Sequence, residues 1–141
     1  MKKDLSKFKK VGIDTNFFIY YFQKHPRFGP IVKNALNLFS EHQTILTTSI
    51  LTMTELLSFK TSGMLLERLE KEIMLMANLQ LTEVNNEIAK EAARIRRNFG
   101  FSLVDAIQLA TAVENNVEIF ITNDKKLQLF KELRVVLLAS L

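Results

Sequence analysis

The 141-residue chain contains no cysteine, which removes disulfide frameworks, thiolate zinc sites, cysteine nucleophiles and iron–sulfur clusters from consideration. The same absence favours an intracellular setting. Glycine is scarce, with four residues, and proline scarcer, with two (Pro26 and Pro30). They are spread as turn punctuation, so no linker, repeat or low-complexity stretch divides the chain. Neither G-x-G-x-x-G nor a Walker sequence occurs, which disfavours a nucleotide cofactor or an ATPase. The longest apolar run, Phe17 to Phe22, is six residues, far short of the ~18–20 needed to cross a bilayer. The opening MKKDLSKFKK has the positive start of a secretion signal but passes into VGIDTN without an apolar segment of ~7–15 residues. The expectation is a cytoplasmic protein with no membrane association.

What is present describes one folded domain. With 48% hydrophobic and 24% charged residues, the chain falls within the usual domain length of roughly 100–150 residues. The net charge is +4, and five of the nineteen basic residues lie in the first ten positions. Arg94, Arg96 and Arg97 form a second basic group. Two readings stay open: a patch that attracts phosphate backbones, or a solvated tail and a solvated helix face. Residues 1–10 are therefore expected to form a basic N-terminal extension and 11–141 the domain proper.

Strand and helix patterns alternate along that domain. VGID (11–14) suits a buried strand, and TNFFIYYF then starts a helix. Pro30 stands where a first helical position falls, with Ile31, Ala35, Leu38 and Phe39 on one face to about His42. TILTT (44–48) reads as a strand, Ser49 as an N-cap for the segment SILTMTELLSF, and MLLERLEKEIMLM as a helix past Gly63. LQLTEV (79–84) alternates like a strand, and the helix after Asn85 or Asn86 carries Ile88, Ala92, Ile95 and Phe99 on one stripe. Ser102 starts SLVDAIQLATAVENN, EIFIT (118–122) is a buried strand, and RVVLL (134–138) a last short one. This predicts an α/β fold with a short, mainly parallel central sheet covered by helices on both faces.

The chemistry lies in acids placed where acids are costly. Only four Asp occur, at positions 4, 14, 105 and 124, and the last three stand inside or at the ends of apolar segments. Glu55 is the only charge between His42 and Lys60. A carboxylate beside buried surface must be hydrogen-bonded, paired or metal-bound. In a parallel sheet the strand ends and the following helix starts share one side of the molecule. Asp14, Glu55, Asp105 and Asp124 can therefore meet there, and a hard divalent ion is the natural counter-charge.

Each residue also has a plainer reading. Asp14 can cap a helix, Ser102-Leu103-Val104-Asp105 fits a capping box, Asp124 can be a turn residue, and Glu55 can be a solvated residue of an amphipathic helix. His25 and His42 stand in turn-like polar settings without metal-ligand spacing. Phe17, Phe18, Tyr20, Tyr21 and Phe22 fit a core face better than a base-stacking platform.

The four motifs together resemble the PIN-domain ribonucleases, in particular VapC-type toxins of toxin–antitoxin pairs. GIDTNFFIY resembles the first D-T-[NS] motif and TSILTMTEL the second, with its Glu. SLVDAIQLATA resembles the third and ITNDKKL the fourth, in this order over about residues 11–138. The resemblance implies a metal-dependent endoribonuclease, with Asp14, Glu55, Asp105 and Asp124 holding one or two Mg²⁺ or Mn²⁺ ions. It gives Asn16, Thr122 and Asn123 the role of orienting those ligands or positioning phosphate. It also implies an RNA substrate, such as tRNA, a small cognate antitoxin, and a homodimer. Alternatives are a stand-alone PIN nuclease of RNA processing or quality control, and a catalytically silent RNA-binding module.

Overall fold

The computed structural model describes residues 4–141. Strand β1 (Lys10–Ile13) leads into helices α1 (Thr15–Phe22) and α2 (Phe28–Glu41), then β2 (Ile45–Ser49), α3 (Leu51–Leu56) and α4 (Gly63–Met74). Strand β3 (Leu79–Thr82), helices α5 (Asn86–Phe99) and α6 (Leu103–Glu114), β4 (Ile119–Thr122) and β5 (Val135–Leu137) complete the order. The five strands form one sheet in the order β3-β2-β1-β4-β5, and all four pairings are parallel. A wholly parallel sheet needs cover on both faces, and the apolar side chains divide accordingly. Val11, Ile13, Leu46, Ile119, Ile121 and Val136 point into one core with Phe17, Phe18, Val32 and Phe39 of α1 and α2. Phe120 points the other way, into a second core with Ile88, Ala92 and Ile95 of α5 and Leu109 of α6.

The helix starts follow local chemistry. Asn85 caps α5 through Ile88 N–H, Ser62 caps α4 through Leu65 N–H, and Ser102 caps α6 through Asp105 N–H. Gly100 closes α5 in the left-handed conformation, φ 70°, which favours glycine. Two starts differ from the sequence expectation. Helix α2 begins at Phe28, two residues before Pro30, because the His25 ring Nδ1 accepts from the N–H groups of Arg27 and Phe28. Ser49 ends β2 instead of capping α3, although its hydroxyl still accepts from Leu51 N–H. A 3-10 turn over Lys125–Leu129 follows β4 in a stretch with no helical apolar period.

Of the basic N-terminal stretch, residues 1–3 lie outside the described residues. The remainder packs: Leu5 and Phe8 are buried in the first core, β1 starts at Lys10, and Glu118 accepts from the backbone N–H groups of Lys9 and Lys10. The second basic group is partly committed as well. Arg94 bridges Glu91 and Glu132 at 2.6 Å each, and Arg96 donates to the Phe101 carbonyl. Phe17 and Phe18 are fully buried core residues, and His42 is exposed. Among the described residues no helix is long and apolar enough to cross a membrane.

The centre of the sheet admits no side chain at Gly12. A Cβ there would stand 2.9 Å from the Phe120 ring, 3.2 Å from Ala112 Cβ and 3.4 Å from Val117, so α6 lies close against β1. Gly12→Ala is expected to destabilise the protein by about 1–3 kcal/mol through overpacking. Urea unfolding of the two proteins checks this, and an unchanged midpoint would refute the tight contact.

Candidate active site

The strand order places a topological switch between β1 and β4. The chain winds from β1 outward through β2 to β3, then returns to the other side of β1 for β4 and β5. Ligands of open parallel sheets bind outside the carboxyl ends of the strands at such a point. Asp14 follows β1 there, with its N–H on the Ile121 carbonyl at 3.0 Å, and Thr122 ends the adjacent β4.

Asp14 is 8% exposed and caps α1. One carboxylate oxygen accepts from Thr15 N–H at 2.8 Å, the other from the Thr122 hydroxyl at 2.7 Å. Glu55, half-buried on α3, accepts from the Thr15 hydroxyl at 2.7 Å. Thr15 thus joins two acids through its backbone and its side chain. Thr122 makes a second link, since its hydroxyl oxygen also accepts from Asp124 N–H at 3.1 Å. Asp124 caps the 3-10 turn through Lys126 N–H and lies 3.9 Å from the Lys126 ammonium. Asp105 sits in the first turn of α6, where only its backbone N–H is engaged by Ser102. Its carboxylate has no hydrogen-bond or ion-pair partner among the described residues.

The electrostatics of Asp14 are set first by its burial. Burial pushes the Asp14 carboxyl up to about 6, against the pull of the Thr122 and Thr15 hydrogen bonds, and the charges of Asp105 and Glu55 push it further the same way. Asn16 is exposed in the first turn of α1, whereas the Asn123 amide donates to the Tyr20 hydroxyl at 3.1 Å and ties the end of β4 to α1.

A model of the PIN domain matches residues 11–134. The chain belongs to the PIN domain family. Solved structures with this fold include a toxin–antitoxin complex from Klebsiella pneumoniae, 24% identical, covering 90% of this chain and 95% of that one with a TM-score of 0.65. VapBC2 from Rickettsia felis, bound to a DNA fragment from its promoter, is 18% identical over 91% and 98% with a TM-score of 0.71. DNA-bound VapBC from Salmonella typhimurium is 17% identical over 92% and 98%, at 0.70. Comparison with curated proteins gives no match.

Within this PIN domain, sequence reasoning passed over the polar layer beneath the acids. Gln108 is 1% exposed on α6, and its amide donates to Thr52 at 2.9 Å and to Thr15 at 3.2 Å while accepting from Ser49 N–H at 3.2 Å. Thr48 and Thr52 are buried beside it, 2.7 Å apart. The signal was an amide inside the apolar helix VDAIQLATA and the threonine density of TTSILTMTE.

The donor set fits a hard divalent cation. It consists of carboxylate oxygens, and among the described residues no ion pair reaches Asp14, Glu55 or Asp105. Desolvation and two like charges raise Asp14 in the absence of a cation. Among the described residues no three His, Asp or Glu side chains form a ready-made cation cluster. Asp14, Glu55 and Asp124 are instead linked through Thr15 and Thr122, and the Asp105 carboxylate stands outside these links.

A raised carboxyl pKa makes stability depend on pH. The folded state keeps the Asp14 proton up to about pH 6, whereas the unfolded chain loses it near 3.9. Between those values the folded state binds more protons, so metal-free stability falls as pH rises from about 4 through 6, by up to about 3 kcal/mol. Asp14→Asn should remove most of that fall and be the more stable protein at pH 7–8. Urea denaturation in EDTA between pH 4 and 8 tests this. Parallel pH profiles for the two proteins would contradict it.

Proposed function

We propose that this PIN domain is a metal-dependent endoribonuclease, the toxin of a VapBC-type pair. The observation that carries the reading is the desolvated Asp14 at the switch point of the sheet, with Glu55 and Asp105 close enough to raise its pKa. Asp14, Glu55, Asp105 and Asp124 would hold one or two Mg²⁺ or Mn²⁺ ions. A bound cation of this kind neutralises the carboxylates, acidifies water and stabilises the leaving oxygen of a phosphodiester.

The chain's own groups do the positioning. The Thr15 N–H and the Thr122 hydroxyl each occupy one lone pair on the two Asp14 oxygens, so the carboxylate is fixed in rotation and keeps acceptor capacity for a cation. The Thr15 hydroxyl orients Glu55 in the same way. Asp105 enters from the opposite sheet face on α6, and Asp124 completes the edge beside Lys126. Exposed Asn16, in the first turn of α1, would hold a phosphate oxygen. Asn123 acts indirectly, through Tyr20.

The toxin reading draws support from the fold shared with VapBC complexes of two organisms. A groove between α1–α2 and α4, where Tyr21, Phe22 and Leu69 stand beside Lys24, Lys33 and Arg68, would take an antitoxin segment that offers apolar and acidic side chains. A homodimer would be the working assembly. A short upstream reading frame whose product co-purifies with the protein distinguishes the toxin from a stand-alone processing nuclease.

The decisive experiment is cleavage of total RNA, purified tRNA and single-stranded DNA in Mn²⁺ or Mg²⁺, with EDTA as a control. Discrete RNA fragments are expected, lost in EDTA and reduced at least ~100-fold by Asp14→Asn or Asp105→Asn, since each would remove a carboxylate ligand of the cation that acidifies water and stabilises the leaving oxygen. Wild-type rates in either folded variant would reject the site. Folded, Mn²⁺-bound protein that cuts no RNA would favour the silent binding module.

A further inference from the structure

The buried amide of Gln108 has a fixed orientation, because one of its partners can act in only one way. The Ser49 N–H can only donate, so the atom facing it at 3.2 Å is the amide oxygen. The amide nitrogen must then face Thr15 and Thr52, and both hydroxyl oxygens accept from it. Once the Thr15 oxygen has accepted, its single proton has two acceptors in reach, the Thr52 hydroxyl at 3.0 Å and the Glu55 carboxylate, of which the carboxylate is the closer and the stronger. The Glu55 carboxylate oxygen at 2.7 Å only accepts when ionised, and it takes that proton. Thr48 and Thr52 can order their protons in either direction, with the Ile13 carbonyl 2.8 Å from the Thr48 hydroxyl. The Thr15-to-Glu55 bond points the same way in both cases.

The elements that Gln108 ties together are those that carry the acids. It sits on α6, three residues after Asp105, and touches Thr15 next to Asp14 on α1, Thr52 on the Glu55 helix α3, and the end of β2. We propose that Gln108 is a positioning residue of the acidic site, which through Thr15 holds Glu55 as a fixed acceptor and sets the α6 carboxylate in register with Asp14. This rests on the cation-binding reading above. A neutral amide suits the role because it supplies two donors and an acceptor without adding a buried charge to an already crowded set.

The test is Mn²⁺ affinity by titration calorimetry on the metal-free protein, with Gln108→Met, Thr15→Val, the double variant and Thr15→Ser, each checked for folding by thermal melting. Gln108→Met and Thr15→Val should each weaken Mn²⁺ binding about tenfold, the range seen when groups that orient ligands are lost. Thr15→Ser, which keeps the hydroxyl, should stay within about twofold, and the double variant should be no more than about threefold weaker than the worse single, because both act through one bond. If Gln108→Met does not fold, Gln108→Asn, one methylene too short to reach both threonines, should show the same loss. Wild-type affinity in the folded Gln108 variant, or losses that multiply in the double variant, would overturn the proposal and leave the cation reading intact. Wild-type protein that takes up no Mn²⁺ would overturn both.

Discussion

The rest of the structure is arranged around one carboxylate taken out of water. Asp14 is held where the central strand ends, with apolar packing beneath it and like charges beside it. Such a group is tolerated only with hydrogen-bond donors on its oxygens. The fold supplies a backbone N–H from the helix that Asp14 itself caps and a hydroxyl from the neighbouring strand. The carboxyl edge of the sheet consequently carries a layer of threonines and one glutamine, while the interior on either side is hydrocarbon. Thr15, Thr48, Thr52, Gln108 and Thr122 are all buried; the first four bond to one another, and Thr122 bonds Asp14 directly.

The two-sided wrapping of the sheet decides which acids can gather there. Helices α1 and α2 pack on one face and α5 and α6 on the other, so Asp14 and Asp105 reach the same edge from opposite sides. That meeting requires α6 to lie close to β1. Small residues permit it: Gly12 leaves room for Phe120, and Ala106, Ala110 and Ala112 are buried on the helix. The close approach also lets Gln108 reach Thr15 and Thr52, which a larger separation would replace with water.

Much of this was legible in the sequence. Apolar runs marked the strands, and acids at the ends of apolar segments marked the carboxyl edge of the sheet, because local burial and parallel topology are both written in the order of residues. The parallel sheet and two-sided cover followed from the strand–helix alternation. The polar layer was not legible, since Gln108 and Thr52 acquire their roles through partners 56 to 93 residues away. The early start of α2 depends on a histidine side chain folding back on the backbone, which has no apolar period. Leu5 and Phe8 sit among five basic residues that suggest a solvated arm, yet two apolar side chains suffice to anchor the described part. Arg94 looked like part of a phosphate-binding patch but is taken up by Glu91 and Glu132, the second of them 38 residues distant.

Capping and catalysis are often weighed as rival explanations of an acid at a helix start, and the proposed site would unite them. Asp14 caps α1, Asp124 caps the turn after β4, and Asp105 lies in the first turn of α6. The positive end of a helix dipole favours a carboxylate at each place. A parallel sheet points the starts of the helices that follow its strands toward the strand ends, so acids chosen as caps are delivered to one edge. What capping alone does not explain is their mutual repulsion. A cap stabilises its own helix by about 1 kcal/mol, whereas the crowding and burial of Asp14 act in the opposite direction with larger magnitude. On the proposed reading, a positive charge that arrives after folding would offset this penalty, and the buried hydroxyls and amide would orient the oxygens toward it.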